Sequence, residues 1–377
     1  MPTHKNSVII IGPAFPLRGG IANFNEALCR AFTDSGVDCS IVSFTVQYPA
    51  FLFPGKTQLA EGDNVPENIK IVTLVNSVNP FSWIRTASYI RKQKPSLVII
   101  RYWLPFMGPC LGTIARMIKR NNSGIKVTAL ADNIIPHESR PGDKAFTNYF
   151  VKACDAFVVM SQSVLNDLQT FESMKPAVLK YHPVYDIFGA EVSKVDARKN
   201  LGLKENEKYV LFFGFIRKYK GLDLLLKAFA DKRVKDLNVK LIVAGEFYED
   251  KQPYHDLINE LGIGNNVILH DHYIPKVSVK NYFGSADLVA QTYRDATQSG
   301  VTQIAYHFNK PMLVTNVGGL PEMVPHNVAG YVTETNAGSI AAAIADFYEN
   351  RREAAFIAGV KQNAKNFSWG KFIEAFT

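Results

Sequence analysis

The sequence predicts an α/β protein of two Rossmann-like domains in tandem, each a doubly wound parallel sheet. Three observations carry this. Short runs rich in Val, Ile and Phe alternate with helix-length amphipathic segments from end to end. These runs form two series of six, parted by a seam at KYHPVYDIFG (180–189), where proline and aromatics precede a glycine. The length, 377 residues, suits two domains that each bury a core.

In the first series, SVIIIG (7–12), CSIVSF (39–44), IKIVTLV (69–75), SLVIIRY (96–102), KVTALAD (126–132) and AFVVMS (156–161) read as strands. They are apolar nearly throughout, as strands covered on both faces are. Between the first two, Ile21, Phe24, Leu28 and Phe32 keep helical spacing. The second series holds YVLFFG (209–214), VKLIVAG (239–245), NVILHD (266–271), ADLVAQ (286–291), PMLVTN (311–316) and AGYVTE (329–334). The domains are therefore expected over 1–185 and 186–361. In such sheets ligands bind outside the carboxyl ends of the strands, and two facing sheets would leave a cleft between them.

Composition narrows the class. With 47% hydrophobic and 20% charged residues the chain is that of a globular protein. No apolar run reaches membrane-spanning length, and MPTHKNSVIIIG enters a strand without signal-peptide architecture. Cys29, Cys39, Cys110 and Cys154 are scattered without a CxxC pair, so neither disulfides nor a zinc site is expected and a cytoplasmic location fits. The net charge of +8 suits nucleic acid, acidic lipid or a polyphosphate ligand, or is a solubilising surface. Nucleic acid is disfavoured, because no recognised binding module or aromatic–basic interleaving is present.

Three stretches carry chemistry. FPLRGGIANF (15–24) follows the first strand, and Gly19 and Gly20 permit a tight turn with amides at a helix mouth, a place for phosphate or sugar. It lacks the GxGxxG pattern and is also compatible with a plain strand-to-helix turn. FFGFIRKYKGLDLLLKAF (212–229) sets Arg217 and Lys220 in a loop between two glycines, expected to be exposed, where they could hold a diphosphate. Solvated lysines are the rival reading. In YRDATQSGVTQIAYHFNKP (293–311) the residues Thr297, Gln298, Ser299 and Gly300 offer amides at a helix start, and TNVGGLPEMV (315–324) adds a second permissive turn. His270 and His272 sit across a strand end with no third ligand in view, so no metal is expected there.

Taken in order, these stretches resemble the family 4 glycosyltransferases of the GT-B fold, over nearly the whole chain. GGIANF is similar to that family's glycine loop, and FGFIRKYKGLDLLLKAF to its basic segment. LIVAGE resembles its next strand, VILHDHYIP its nucleotide-base loop, and NKPMLVTNVGGLPEMV its glycine-rich C-terminal stretch. FSWGKFIEAF (367–376) looks like the helix, about 362–377, that returns to the first domain.

The resemblance implies a sugar transferred from a nucleotide-diphosphate sugar to a glycan or lipid-linked acceptor. Configuration would be retained, with neither a cofactor nor a metal, in cell-surface polysaccharide or glycoconjugate synthesis. It implies catalytic roles for Arg217, Lys220, Asp295 and His137. Donor contacts would fall to Gly20, Gly214, Glu246, Tyr273, Ile274, Thr297, Gln298, Ser299, Gly300, Gln303 and Glu322. Gly19, Asp132 and Asn133 would serve the acceptor.

Departures from the pattern are specific. The family's glutamate pair, eight positions apart, falls on Asp295 and Gln303, or on Ala296 and Ile304 when counted back from Pro311. Ile304 lies on the apolar stripe Val301, Ile304, Ala305, Phe308, so the polar pair is preferred, with Gln303 expected to leave that stripe. Phe215 stands where an arginine is usual, leaving Arg217 to act, and ALADNIIPHE offers Asp132, Asn133 and His137 in place of the usual histidine. A nucleotide-sugar epimerase of the same fold, or a non-catalytic nucleotide-binding relative, are the alternatives. Finally, SWIRTASYIRKQKP (82–95) and TIARMIKRNN (113–122) place Arg85, Arg91, Lys92, Arg116, Lys119 and Arg120 beside apolar faces. They read as solvated helices or as a peripheral contact with anionic membrane.

Overall fold

The computed structural model describes residues 7–49, 58–59, 66, 68–121, 124–136, 140–185, 187–296 and 299–376. The chain forms two compact units, Met1–His182 with Trp369–Thr377, and Pro183–Ser368. Each is built on one all-parallel, Rossmann-like sheet.

The first unit's strands are β1 (Ser7–Ile11), β2 (Asp38–Val46), β3 (Lys70–Asn76), β4 (Leu97–Tyr102), β5 (Lys126–Ala131), β6 (Ala156–Val159) and β7 (Ala177–Leu179). They are ordered β3-β2-β1-β4-β5-β6-β7. The seventh, β7, was not expected; it is three residues long at the sheet's edge, too short for a periodic signal. In β4 all six residues are buried, the charged Arg101 among them, as in a strand covered on both faces. Helices Gly20–Asp34, Pro80–Gln93 and Gly108–Lys119 follow β1, β3 and β4. The last residues fold onto this unit too: the Trp369 and Phe372 rings meet Phe24 edge-on at 5.1 and 5.5 Å.

In the second unit β8 (Lys208–Phe213), β9 (Val239–Ala244), β10 (Val267–His270), β11 (Leu288–Gln291), β12 (Met312–Thr315) and β13 (Gly330–Thr333) are ordered β10-β9-β8-β11-β12-β13. The core is Phe212, Leu225, Leu226, Phe229, Leu241 and Ile344 with their neighbours, packed from helix and strand. The connections reverse direction between β8 and β11, which pair directly with Leu288 beside Val210. Two successive loops therefore part at this point and leave a crevice at the carboxyl ends, where open α/β sheets bind ligands. In the first unit the same switch lies between β1 and β4.

Candidate functional site

At the second unit's switch point the sequence dictates a close passage of backbone. β8 is followed by Gly214, with φ 98°, whose amide donates to the Ala244 carbonyl at 2.9 Å. Gly245, just after β9, has φ 152°, and a Cβ there would stand 2.1 Å from the Gly214 carbonyl oxygen. Only glycine fits such a crossing. The chain then makes a single tight turn over Lys218–Lys220 and enters the amphipathic helix Leu222–Phe229 through Gly221 at φ 66°.

This loop is laced to the one that follows β11. Thr292 Oγ1 donates to the Gly221 carbonyl at 2.9 Å, and the Arg294 amide donates to the Tyr219 carbonyl at 2.6 Å. Arg294 also grips Asp223 with two bonds of 2.6 and 2.8 Å. Lacing of this kind holds the cationic loop in one shape before any ligand arrives.

Inside the lacing lies Lys220. The expectation of an exposed loop residue is corrected: Lys220 is 9% exposed, because Gly214 beneath and Tyr293 beside it close over its stem. Its ammonium lies 3.2 Å from where a Gly214 Cβ would stand and 5.7 Å from the Tyr293 ring centroid. Among the described residues it has no carboxylate partner. Burial first, and the Arg217 charge second, lower its pKa to about 7. Arg217 is exposed, 5.2 Å from the Tyr248 ring, and has no carboxylate partner among the described residues either. Two neighbouring basic side chains, one of them buried, form a site suited to an anion.

The helix Gly300–His307 brings its amino end to the same place, for Val301 Cγ2 lies 3.7 Å from that Gly214 Cβ position. Ser299 caps the helix by accepting from the Val301 amide at 3.3 Å, and its hydroxyl meets Tyr293 Oη at 3.2 Å. The positive end of the helix dipole thus adds to Lys220. Asp295 is exposed nearby and, after burial, helps raise the Tyr219 pKa, with Arg217 opposing it.

The remaining donor candidates occupy the same sheet edge. Glu246 is buried after β9, its carbonyl accepting from the Ile216 amide at 2.8 Å. Tyr273, half-buried, and Ile274, buried, follow β10, and half-buried Glu322 lies on the helix Leu320–Met323 beyond β12. Thr297, Gln298 and His137 lie outside the described residues.

Gln303 requires a correction. It was expected to leave the packed face, yet it is fully buried, and among the described residues neither its amide nitrogen nor its amide oxygen has a partner. The helix is covered on more than its apolar stripe, since Thr302 is buried as well and donates to Gln291 Oε1 at 3.0 Å.

In the first unit Gly19, at φ 118°, caps the helix Gly20–Asp34, and a Cβ on Gly20 would meet nothing within 4 Å. Asp132 is not a free acceptor-side carboxylate: it takes two bonds from the buried Arg101, Nε to Oδ2 at 2.7 Å and Nη2 to Oδ1 at 2.5 Å. The Arg101 guanidinium lies over the Phe24 ring at 4.1 Å. Asn133 follows, half-buried. Arg101 was missed, although a charge ending the apolar run SLVIIRY was its visible signal.

Elsewhere in the second unit a cavity of about 430 Å³ opens beside Asp287 and Tyr348, at the amino ends of the strands. Its charges are matched, because Asp287 is paired to Lys194 at 2.7 Å and Arg198 at 2.8 Å. Among the described residues no three His, Cys, Asp or Glu side chains gather as a metal site. His270 Nδ1 is bonded to Tyr282 Oη at 2.8 Å.

Residues 193–366, most of the second unit, match the sequence model of the family Glycosyl transferases group 1. An uncharacterized glycosyltransferase of Methanocaldococcus jannaschii is 31% identical over 42% of this chain and 40% of its own length. D-inositol 3-phosphate glycosyltransferase 1 of Catenulispora acidiphila is 25% identical over 94% of this chain and 89% of its own. Sucrose-phosphate synthase from Thermosynechococcus elongatus superposes with a TM-score of 0.77 at 16% identity, covering 98% of this chain and 97% of that one. HepE from Anabaena, solved with UDP-glucose, gives 0.71 at 16% identity, covering 98% of each chain. These matches show similarity to that family over residues 193–366 and the GT-B fold over nearly the whole chain.

Proposed function

We propose that the chain is a working group 1 glycosyltransferase that moves a sugar from a nucleotide-diphosphate sugar to an acceptor hydroxyl, with retention of configuration. The observation that carries this is the buried Lys220, without a carboxylate partner among the described residues, beside Arg217 at the switch point of the second sheet. A diphosphate supplies the counter-charge. As the bond from the anomeric carbon to phosphate breaks, the electron pair stays on the diphosphate oxygen, where Lys220, Arg217 and the helix Gly300–His307 stabilise the charge. These groups supply the neutralisation a divalent metal would otherwise provide. The acceptor oxygen bonds the anomeric carbon on the same face, and its proton passes to the departing phosphate.

Tyr273 and Ile274 serve the base, Glu246, Asp295 and Glu322 the sugar and ribose. Gly19, Gly20 and Asn133 serve the acceptor, a glycan or lipid-linked sugar of surface glycoconjugate synthesis, with Asp132 acting through Arg101. The HepE complex suggests uridine nucleotides as first probes. In a thermal-shift series with UDP, ADP and GDP, one should stabilise the protein by roughly 2.7 kcal/mol at a hundred times its Kd, and Lys220→Met should abolish that gain. Stabilisation unaffected by Lys220→Met would overturn the diphosphate assignment. A bound donor neither hydrolysed nor transferred would overturn the catalytic half.

A further inference from the structure

The positive charge of this chain is not spread evenly. From 68 to 131 the sequence contains ten Lys or Arg and no Asp or Glu, so this one segment exceeds the net charge of +8 and the remainder is slightly acidic. Within it lies the helix Pro80–Gln93, which follows β3 and buries only Thr86, Ala87 and Ile90.

Its outer stripe is set by helical spacing. Phe81, Ile84, Arg85, Ser88, Arg91 and Lys92 share one face, all exposed. Phe81 is 81% exposed and Ile84 51%, with Val78 just ahead of the helix at 52%. A phenylalanine so open on a helix costs solubility and gains nothing from the core. The start is fixed: Asn79 Oδ1 caps the Phe81 amide at 3.0 Å, and Trp83 Nε1 donates to the Asn76 carbonyl at 2.7 Å. Phe81 is therefore held outward on a rigid element.

The basic residues of the stripe are unclaimed. Among the described residues Arg85, Arg91, Lys92 and Lys94 have no carboxylate partner. The helix Gly108–Lys119, expected to be a second basic face, differs. Its Arg116 lies over Tyr149 at 3.8 Å and donates to the Gly112 and Tyr149 carbonyls at 2.9 and 2.6 Å, and Lys119 is paired with Asp155 at 2.6 Å. Among the described residues no helix is long and apolar enough to cross a membrane.

We propose that the outer stripe of the helix Pro80–Gln93 docks on an anionic lipid surface. Phe81, Ile84 and Val78 enter the interface, and Arg85, Arg91 and Lys92 meet lipid phosphates. The charge sign, the acid-free surroundings and the apolar tip all match such a surface, where each basic residue contributes roughly fivefold in affinity. The inference stands apart from the transferase reading, because it needs neither donor nor turnover.

The full chain is tested by co-sedimentation with phosphatidylcholine vesicles with and without phosphatidylglycerol. The expected result is binding to the anionic vesicles alone, weakening with added salt. Arg85→Glu, Arg91→Glu and Lys92→Glu together should reduce it by at least tenfold, and Phe81→Ser by roughly threefold or more, both with unchanged melting temperature. The charge-matched control Lys227→Glu, Lys232→Glu and Lys361→Glu, on the second unit, should bind as the native chain does. Equal binding to neutral vesicles, no binding to either, or equal loss in the control overturns the proposal. So does retention on a heparin column that depends on the same arginines while vesicles are ignored, which would make the partner a soluble polyanion. Donor binding by the helix variants should match that of the native chain, which keeps this outcome separable from failure of the transferase reading.

Discussion

The Lys220 ammonium lies 3.2 Å from the point at which a side chain on Gly214 would begin. A glycine is thus required twice at this position, by its φ of 98° and by the lysine above it. Gly214→Ala should lower stability by about 1–2 kcal/mol from backbone strain and push Lys220 aside. Nucleoside-diphosphate affinity should fall by roughly tenfold or more, the effect of displacing one charged contact. Calorimetric melting and titration with UDP check both.

Lys220→Met should stabilise the unliganded chain by about 1–3 kcal/mol near neutral pH and below, since it removes a buried charge that has no carboxylate partner among the described residues. It should also cut turnover by roughly a hundredfold or more. A gain in melting temperature joined to a loss of donor hydrolysis is the signature sought.

The pH dependence has a definite sign. Lys220 titrates at about 7 in the folded chain against the ordinary 10.5. Between these values the unfolded chain binds one more proton, so this lysine makes the unliganded protein more stable as pH rises through that window. A bound diphosphate restores the ammonium. Donor binding above pH 7 should therefore take up close to one proton and weaken as pH climbs, whereas Lys220→Met should show neither effect. Titration calorimetry in buffers of different ionisation enthalpy measures the uptake.

Asp132→Ala should destabilise the first unit by about 3–5 kcal/mol, because Arg101 is left buried without its partner. Arg101→Met combined with Asp132→Asn should recover most of that loss. Trp83, Trp103 and Trp369 all lie in this unit, so tryptophan fluorescence during urea unfolding reports on it directly.

Gln303→Leu should raise stability by about 1 kcal/mol, since it replaces an unpartnered buried amide with a side chain of similar size. Affinity for UDP should stay within threefold. A tenfold loss would return Gln303 to the donor site and show that the helix opens to admit a ribose.

What was legible in the sequence was local. Runs such as LFF and LIVA mark buried strands because covered parallel strands have no polar face, and a glycine after each marks the carboxyl edge. That suffices to place Gly214, Arg217, Lys220 and Ser299 at one end of one sheet. The burial of Lys220 was not legible, because it depends on Tyr293, some seventy positions away and brought alongside only by folding. The pairing of Arg101 with Asp132 is likewise long-range, and the burial of Gln303 follows from packing that helical spacing alone underestimates. β7, at three residues, falls below the length at which periodicity exists.

The bonds from Thr292 and Arg294 to Tyr219–Gly221 have a consequence for how such a site can change. Two segments far apart in sequence share one rigidity, so neither loop can be exchanged or lengthened alone without releasing the other. Substitutions at 219–221 and at 292–294 should covary among related chains and behave non-additively in combination, even where neither residue touches a ligand. If Tyr273 and Ile274 read the base as proposed, a change of nucleotide preference is easier to acquire there, outside this knot, than within it.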